Sequence, residues 1–367
     1  MSKKILIVSR SFYPLITPRS FRATELACEF SRQGHDVTVL IPVEGFDYSK
    51  FEEKNNIKIK NLGKLHPWEN DVGGSGILKL VFKLIRAILI LFFDYPSIHI
   101  SFLVKNALKK ENGYDLMISI AAPHSIHWGV AAIRSDENKI AKTWIADCGD
   151  PYMGASTSRY PKLFYFKYVE KWFNRKADFI TVPVEQAKKA YYEEFRHKIW
   201  VIPQGYNYKS IKIYKGRNKN KVPTFAYAGT FLRNVRDPKY FLEYLVETDI
   251  EYRFHVYTNK KQFIEKYRKK LGDKIVIHDK VPRESLLYEL SKMDFLVNLE
   301  NNSMVQKPSK VVDYSYTGRP ILNIHPNKLN HNLIEQFLDK NYSGQLIVDN
   351  LEQYDISNIA KKYIKLS

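Results

Sequence analysis

The fold is decided by the stretch Lys307-Pro308-Ser309-Lys310-Val311-Val312-Asp313-Tyr314-Ser315-Tyr316-Thr317-Gly318-Arg319-Pro320, which precedes the apolar run Ile321-Leu322-Asn323-Ile324. Pro308 and Ser309 favour the start of a helix, Gly318 favours its left-handed end, and Pro320 prevents its continuation. The apolar run after Pro320 is typical of a buried strand. The stretch therefore predicts a short helix between two strands of an open α/β sheet.

A helix in this position begins at the carboxyl edge of the preceding strand, where its unpaired N–H groups and positive dipole end favour a phosphate. Lys310 adds a positive charge there, and its spacing from Ser309 and Asp313 puts all three on one helix face. A carboxylate one turn away suits the hydroxyls of a ribose. The pattern indicates a nucleotide site, and the alternative is an ordinary capped helix with a solvated lysine.

Length and composition narrow the class of protein. A chain of 367 residues exceeds the size that one core usually supports, so we expect two domains. The only cysteines, Cys28 and Cys148, form no CxxC pair, which predicts neither a metal site nor a disulfide framework. The apolar run Ile5–Val8 is too short for a secretory signal, so we expect a cytoplasmic chain. The net charge of +19 predicts an acidic partner: nucleic acid, an anionic membrane or phosphorylated substrates.

The first half of the chain reads as alternating strands and helices. A strand over 5–8, a helix over 24–30 and a strand over 37–41 form one βαβ unit, and the loop 9–22 between them carries Arg19 and Arg22. The loop lacks GxGxxG, which argues against a nicotinamide or flavin enzyme. The aromatic and basic helix over 164–176 is explained by core packing better than by RNA binding.

Two further strands, 114–120 and 142–146, end in polar loops. His124 and His127 follow the first of them, and Asp147 and Asp150 follow the second. These side chains could orient a substrate hydroxyl, or they could be structural caps.

The segment Ile77–Phe93 is strongly apolar apart from a stripe formed by Lys79, Lys83 and Arg86. It is shorter than the roughly 20 apolar residues that a spanning helix needs. The helix therefore either lies in a membrane interface or packs against its own sheet with one wet edge. Three lysines between 105 and 110 favour the membrane slightly.

A basic linker over 206–222 separates the halves, and a new βα pattern begins at Thr224. Gly229 ends the strand and lets the backbone approach a ligand closely. Arg233 and Arg236 follow before the next helix, and the arginine fork matches phosphate oxygens. Convergence of both arginines with Lys310 would form a diphosphate pocket, whereas solvated loop arginines are the alternative.

The whole chain resembles bacterial glycosyltransferases of family 4, which have the GT-B architecture of two Rossmann-like, doubly wound α/β domains facing across a cleft. The residues that carry the resemblance are Ile5–Val8 with Tyr13-Pro14, Gly34–Val39, Asp147–Pro151, Val201–Gly205, Tyr227–Thr230, and Pro308–Lys310 through Asp313-Tyr314 to Gly318–Pro320. The resemblance implies an acceptor-binding domain over 1–207 and a nucleotide-sugar domain over 208–345. It also implies a C-terminal helix within 346–367 that packs back on the first domain.

The resemblance also implies roles for single residues. Arg236 and Lys310 would contact the diphosphate and act in catalysis, with Arg233 as a third cation, and His124 would contact substrate in the first domain. Asp313, at a position that is usually glutamate, would hold the ribose, while Val305 replaces the second glutamate of the family motif. The remaining donor-site positions are Gly229, Ser309, Asn298, Glu300, Asn301 and Asn302.

The implied reaction moves a sugar from a nucleoside diphosphate to a hydroxyl of a glycan or polyprenyl-diphosphate-linked acceptor, with retention at the anomeric carbon. It would need no metal and no tightly bound cofactor. The expected setting is assembly of a surface polysaccharide, such as lipopolysaccharide or capsule, on the anionic inner face of the cell membrane, with no nucleic-acid partner. The alternatives are a nucleotide-sugar epimerase of the same fold and a non-catalytic basic protein that binds membrane or nucleic acid.

Overall fold

The protein was analysed as a computed structural model that describes residues 2–66, 77–135, 137, 139–154, 162–209, 211–216, 220–300 and 309–367. The chain divides into two compact units. The first contains Met1–Tyr206 and Tyr354–Ser367, and the second contains Asn207–Gln353. The chain thus returns to the first unit at Tyr354, eight residues after the boundary at 346 that the sequence predicts.

The first unit is built on a seven-stranded parallel sheet of order β3-β2-β1-β4-β5-β6-β7. Its elements in chain order are β1 (Lys4–Ser9), α1 (Pro18–Arg32), β2 (Asp36–Ile41), α2 (Ser49–Asn55), β3 (Lys58–Asn61), α3 (Ile77–Phe93), α4 (Ile98–Leu108), β4 (Tyr114–Ile120), α5 (Ser125–Ile133), β5 (Ala141–Asp147), α6 (Phe166–Lys176), β6 (Phe179–Val182) and β7 (Ile199–Val201). The last helix of the chain, Ile356–Lys365, also belongs to this unit.

The second unit has a five-stranded parallel sheet of order β10-β9-β8-β11-β12. Its elements are β8 (Thr224–Ala228), α7 (Lys239–Glu247), β9 (Arg253–Tyr257), α8 (Gln262–Leu271), β10 (Ile275–His278), α9 (Arg283–Leu290), β11 (Phe295–Leu299), α10 (Ser309–Tyr316), β12 (Ile321–Ile324) and α11 (His331–Leu338). We number the final helix, Ile356–Lys365, α12.

Both sheets are buried on both faces, as parallel sheets usually are. Along β1, Leu6 and Val8 enter one core and Ile5 enters the other, because successive strand side chains point to opposite faces. In β8, Phe225 and Ala226 divide between two cores in the same way. The predicted class, α/β with two Rossmann-like doubly wound sheets, is confirmed.

The start of α1 differs from the sequence prediction. Residues 9–22 were expected to form a loop, but the helix begins at Pro18, with Thr17 as its cap and the Thr17 hydroxyl accepting from Ser20 N at 3.1 Å. Proline at the first helical position costs no hydrogen bond, because that N–H is unpaired in any helix. Arg19 and Arg22 therefore lie on the first turns of a helix.

A buried ion pair links α1 to β5. The guanidinium of Arg22 donates to both carboxylate oxygens of Asp147 at 3.0 Å, and both side chains are 3% exposed. Thr181 and Tyr363 also donate to Asp147, at 2.7 and 2.8 Å. Burial alone would raise the pKa of Asp147, but Arg22 lowers it to about 2. Because Tyr363 lies on α12, this charge network ties the C-terminal helix into the first unit.

Helix α10 ends as the sequence predicts. Gly318 follows its last turn with φ +69°, the left-handed geometry that glycine adopts without strain. Tyr314 is buried on this helix, and its hydroxyl accepts from Ala228 N at 2.7 Å. The contact holds α10 against the end of β8.

Helix α3 exposes many of its apolar side chains, which argues against the alternative that it packs against its own sheet with one wet edge. Leu80 is 70% exposed, Leu84 63% and Phe93 56%. Among the described residues no single helix is long and apolar enough to cross a membrane. Among these residues, the helix pair Leu80–Phe93 and Ile98–Leu108, bent by 54°, is together long and apolar enough for a membrane span, by length and composition alone.

We expect Arg22→Met to destabilise the protein by about 3–5 kcal/mol, because it leaves the Asp147 carboxylate buried without a counter-charge. Lys142→Ala is the matched control, since the pair of Lys142 with Asp115 is exposed and such pairs contribute about 1 kcal/mol or less. Urea unfolding measures both. The folded pKa of Asp147 lies below its ordinary value of 3.8, so its contribution is present above that pH and is lost as the pH falls through about 2. Equal unfolding midpoints for the two variants would contradict the assignment.

Candidate functional site

Strand order predicts where a ligand binds in the second unit. The order reverses between β8 and β11, and in open parallel sheets the crevice beyond the carboxyl ends of such strands is the usual binding place. The two strands pair only at Phe295 with Phe225 and at Leu296 with Ala226. Beyond those pairs the strands diverge, and the hydroxyl of Tyr314 contacts Ala228 instead. Gly229, Lys310, Asn298 and Glu300 all lie at this edge.

Gly229 follows β8 with φ +153°, a conformation that side chains rarely adopt. Its N–H donates to Tyr257 O at 3.0 Å, and a Cβ at this position would come within 3.1 Å of the Tyr227 hydroxyl. The chain therefore needs glycine here, because a side chain would be strained and would crowd the Tyr227 hydroxyl.

Two cations lie beside that turn, each half-buried with one buried nitrogen, Lys310 Nζ and Arg236 Nε. The Lys310 ammonium is 4.4 Å from the centre of the Tyr227 ring, and neither it nor Arg236 Nε has a hydrogen-bond partner among the described residues. Burial, followed by the nearby charge of Arg236, lowers the pKa of Lys310 to about 7. Uncompensated buried charges are costly, so this pair is suited to an anion. Lys310 is the second residue of α10, whose unpaired N–H groups favour the same charge.

Arg233 does not join this pair. It is exposed and lines a separate cavity of about 400 Å³ with Asn234, Asp237, Lys239, Gln262, Phe263 and Lys266. The reason is local: Leu232 and Arg236 exchange backbone hydrogen bonds around Asn234, whose φ is +62°. This tight turn separates the two arginine side chains, and the predicted group of three cations is reduced to two.

Asp313 is engaged within the second unit. Its carboxylate pairs with Arg283 Nη2 at 2.5 Å and accepts from the Tyr208 hydroxyl at 3.1 Å. Arg283 stands 30 residues earlier, at the start of α9, and no sequence signal connects the two. The ribose contact of Asp313 stays a prediction. Arg283, the ion-pair partner of Asp313, is a further candidate for contact with the nucleotide.

Asn298 and Glu300 are joined through Asn323 on the neighbouring strand. Asn298 Nδ2 donates to Asn323 Oδ1 at 2.6 Å, and Asn323 Nδ2 donates to the Glu300 carboxylate. Sequence reasoning missed Asn323, although it stands inside the quoted apolar run. The predictions for Asn301, Asn302, Val305, Lys307, Pro308 and the Ser309 side chain lie outside the described residues.

In the first unit the strand order reverses between β1 and β4. His124 lies at the end of β4 and its Nε2 donates to Asp150 O at 2.9 Å, because a carbonyl oxygen only accepts. Burial lowers the pKa of His124 to about 4, so the ring is neutral at pH 7 with Nδ1 as its acceptor. Arg19 lies beside it: a Cβ on Gly149 would fall 0.9 Å from Arg19 Nη2. This edge thus combines a neutral histidine with a cation.

The other polar residues at this edge are structural. Asp147 forms a buried ion pair with Arg22. Of its two interpretations, a group that orients a substrate hydroxyl or a structural group, this contact favours the structural one. His127 is fully buried between the Ser119 hydroxyl at 2.8 Å and Cys148 Sγ at 3.4 Å. Among the residues that the structure describes, no group of three or more His, Cys, Asp or Glu could hold a metal ion.

We expect Lys310→Met to keep or raise stability at pH 7. The folded pKa of Lys310, about 7, lies below its ordinary 10.5, so the unfolded chain binds more protons between these values and wild-type stability rises with pH there. Methionine removes both the buried charge and this pH dependence. Urea unfolding at pH 7 and pH 9 measures the effect, with exposed Lys239→Met as the control. A loss of stability at pH 7 in Lys310→Met alone would show that the ammonium is compensated.

Comparison with solved structures identifies the fold. TarM matches with TM-score 0.65 at 12% identity, over 100% of this chain and 99% of that chain. HepE of Anabaena in complex with UDP-glucose matches with TM-score 0.63 at 11% identity, over 99% and 98%. The lipopolysaccharide outer core galactosyltransferase WaaB matches with TM-score 0.52 at 14% identity, over 99% and 97%. These are GT-B glycosyltransferases, and at such identities the likeness shows the fold.

No curated protein matches the chain by sequence. Residues 21–209, slightly more than half of the chain, match the family described as Glycosyltransferase Family 4. The predicted resemblance is confirmed: this chain belongs to glycosyltransferase family 4.

Proposed function

We propose that this glycosyltransferase moves a sugar from a nucleoside-diphosphate sugar to a hydroxyl of a glycan or lipid-diphosphate-linked acceptor. The observation that carries the proposal is the pair of Lys310 and Arg236 at the switch point of the second sheet, whose buried nitrogens Nζ and Nε have no hydrogen-bond partner among the described residues. Two cations without a carboxylate partner among the described residues fit a diphosphate, and the lack of a side chain at Gly229 allows it close approach.

The proposed chemistry follows from charge. As the bond between the sugar and the diphosphate breaks, negative charge grows on the leaving oxygen. Lys310, Arg236 and the first N–H groups of α10 are fixed before the reaction, so they stabilise that charge without reorganisation. No side chain is assigned as a covalent nucleophile. We propose retention at the anomeric carbon only because the chain belongs to glycosyltransferase family 4.

The first unit supplies the acceptor side in this proposal. Neutral His124 offers Nδ1 as an acceptor for a substrate hydroxyl, and its low pKa makes it an orienting group more than a strong base. The guanidinium of Arg19 suits a phosphate of the acceptor. Glu170 accepts from Tyr152 N at 3.0 Å and so holds the segment whose Asp150 carbonyl orients His124.

The exposed residues of α3 support a membrane-bound acceptor. We define the apolar surface as Leu80, Leu84, Ile88, Phe92 and Phe93. Its end adjoins the acceptor edge, because Tyr165 donates to Phe92 O, Lys162 pairs with Asp94, and Lys162 lies 4.4 Å from the Tyr152 ring.

The occupant we propose for the apolar surface is the anionic inner leaflet of the cell membrane, since exposed Lys83 and the net charge of +19 complement anionic lipid. The setting would be assembly of a surface polysaccharide. WaaB, a lipopolysaccharide galactosyltransferase of the same fold, supports this setting. HepE, solved with UDP-glucose, supports a nucleotide-sugar donor.

We expect Arg236→Ala and Lys310→Ala each to lower sugar transfer by roughly 10²–10³, the usual effect of removing one preorganised group. The assay is a mass-spectrometric screen of nucleotide sugars against glycan and polyprenyl-diphosphate-linked acceptors. Lys239→Ala, an exposed cation three residues after Arg236, is the control and should behave like wild type.

Undiminished transfer by both variants would overturn the site assignment. Incubation with the donor alone separates the epimerase alternative, because an epimerase would yield an isomerised sugar nucleotide without any acceptor.

We expect Leu80→Asp with Leu84→Asp to weaken binding to phosphatidylglycerol vesicles without loss of folding, since both side chains are mostly exposed. Ile347→Asp is the matched control, because Ile347 is also 70% exposed but lies in the second unit. Lys83→Glu should weaken binding further and in a salt-dependent way, at about 1 kcal/mol per charge. Co-sedimentation measures all three, and equal binding of the double variant and wild type would rule out the apolar surface.

A further inference from the structure

A directional set of hydrogen bonds joins three side chains at the carboxyl edge of the second sheet. Asn298 on β11 and Asn323 on β12 are in register, and Asn298 Nδ2 donates to Asn323 Oδ1 at 2.6 Å. Asn323 Nδ2 in turn donates to the Glu300 carboxylate. The Glu300 backbone is held as well, since its N–H donates to Ile324 O at 2.9 Å. We call these three residues the Asn323 relay.

The chemistry of the groups fixes the direction of the relay. A carboxylate can only accept, so Asn323 must turn its NH₂ toward Glu300 and its carbonyl toward Asn298. Asn298 must then turn its NH₂ toward Asn323, which directs its own Oδ1 away. Asn298 is 3% exposed, and its Oδ1 has no hydrogen-bond partner among the described residues. A buried acceptor left unpaired costs about 1–3 kcal/mol, so this oxygen favours a ligand that donates.

The relay therefore presents two acceptors to a ligand. Asn298 Oδ1 and the Glu300 carboxylate both require O–H or N–H groups. Asn298 lies near the end of β11 and Glu300 directly follows that strand, which borders the switch point where Lys310 and Arg236 lie. A group attached to a diphosphate at those cations would lie at the same sheet edge as the relay. A hydroxyl or an amine would be bound there, whereas a carboxylate would be repelled by Glu300.

We propose that the donor carries a neutral or amino sugar and not a uronic acid, that Glu300 and Asn298 bind its hydroxyl or amine donors, and that Asn323 is the positioning residue that aims both. This inference rests on the proposed function and names the sugar class of that site.

The test compares binding of a nucleoside diphosphate, its neutral sugar and its uronate by isothermal titration calorimetry. Two probe series are used: UDP with UDP-glucose and UDP-glucuronate, and GDP with GDP-mannose and GDP-mannuronate. Wild type should bind the neutral sugar nucleotide more tightly than the nucleoside diphosphate, and the uronate more weakly. Asn323→Leu should keep the affinity for the nucleoside diphosphate and lose the gain from the neutral sugar, roughly tenfold.

Glu300→Gln should raise the affinity for the uronate relative to the neutral sugar, because it removes the negative charge that repels a carboxylate. Asn259→Leu is the matched control: this asparagine is exposed near the same edge and accepts from Thr230 Oγ1 outside the relay. A general loss of folding in Asn323→Leu would lower nucleoside-diphosphate binding as well, so the ratio of the two affinities isolates positioning.

The inference is overturned if Asn323→Leu retains the gain from the neutral sugar, if wild type binds the uronate more tightly than the neutral sugar, or if Glu300→Gln still rejects the uronate. If Asn323→Leu fails to fold, the uronate affinity of Glu300→Gln relative to the neutral sugar tests the proposed sugar class by itself. Wild type that binds neither UDP nor GDP would instead refute the proposed function, and the sugar class with it.

Discussion

The first unit depends on one buried ion pair, Arg22 with Asp147. A charge at 3% exposure is tolerable only when it is paired and hydrogen-bonded, and here Thr181 and Tyr363 supply the remaining contacts. The four residues come from α1, β5, β6 and α12, so the pair joins the start of the chain to its end. Backbone hydrogen bonds between Tyr206 and the returning segment complete the closure. The C-terminal helix is therefore an integral part of the first unit, although the whole second unit intervenes in sequence.

The second unit uses buried charge in the opposite way. Lys310 and Arg236 repel one another and have no carboxylate partner among the described residues, whereas Arg283 and Asp313 nearby form a complete pair. Charges that only destabilise the folded chain are understandable if a ligand compensates them. The contrast between these two pairs separates a binding position from a structural one.

In both units, candidate residues lie at the sheet edge where strand order reverses, and this geometry explains which of them the sequence places correctly. Residues just after a parallel strand were placed at the correct edge from the sequence, because strand ends in such sheets share one side. Gly229, Lys310, Asn298 and His124 lie at the edges where the sequence places them, and their functional roles stay predictions. Arg233 was not predicted correctly beside Lys310, since the tight turn at Asn234 directs it into another cavity. Asp147 was left ambiguous, because its partner Arg22 stands 125 residues away.

The sequence by itself determined the alternation of strands and helices, the helix from Ser309 to its stop at Gly318, the family resemblance and the cations that suit a diphosphate. These depend on local spacing, on capping residues and on apolar periodicity, all of which act over a few neighbours. Only the tertiary structure decided that α3 exposes its apolar side chains, that Asp313 pairs with Arg283 and that Asn323 aims Glu300. The physical reason is that exposure and hydrogen-bond partners are set by contacts between residues far apart in the chain, which no local pattern encodes.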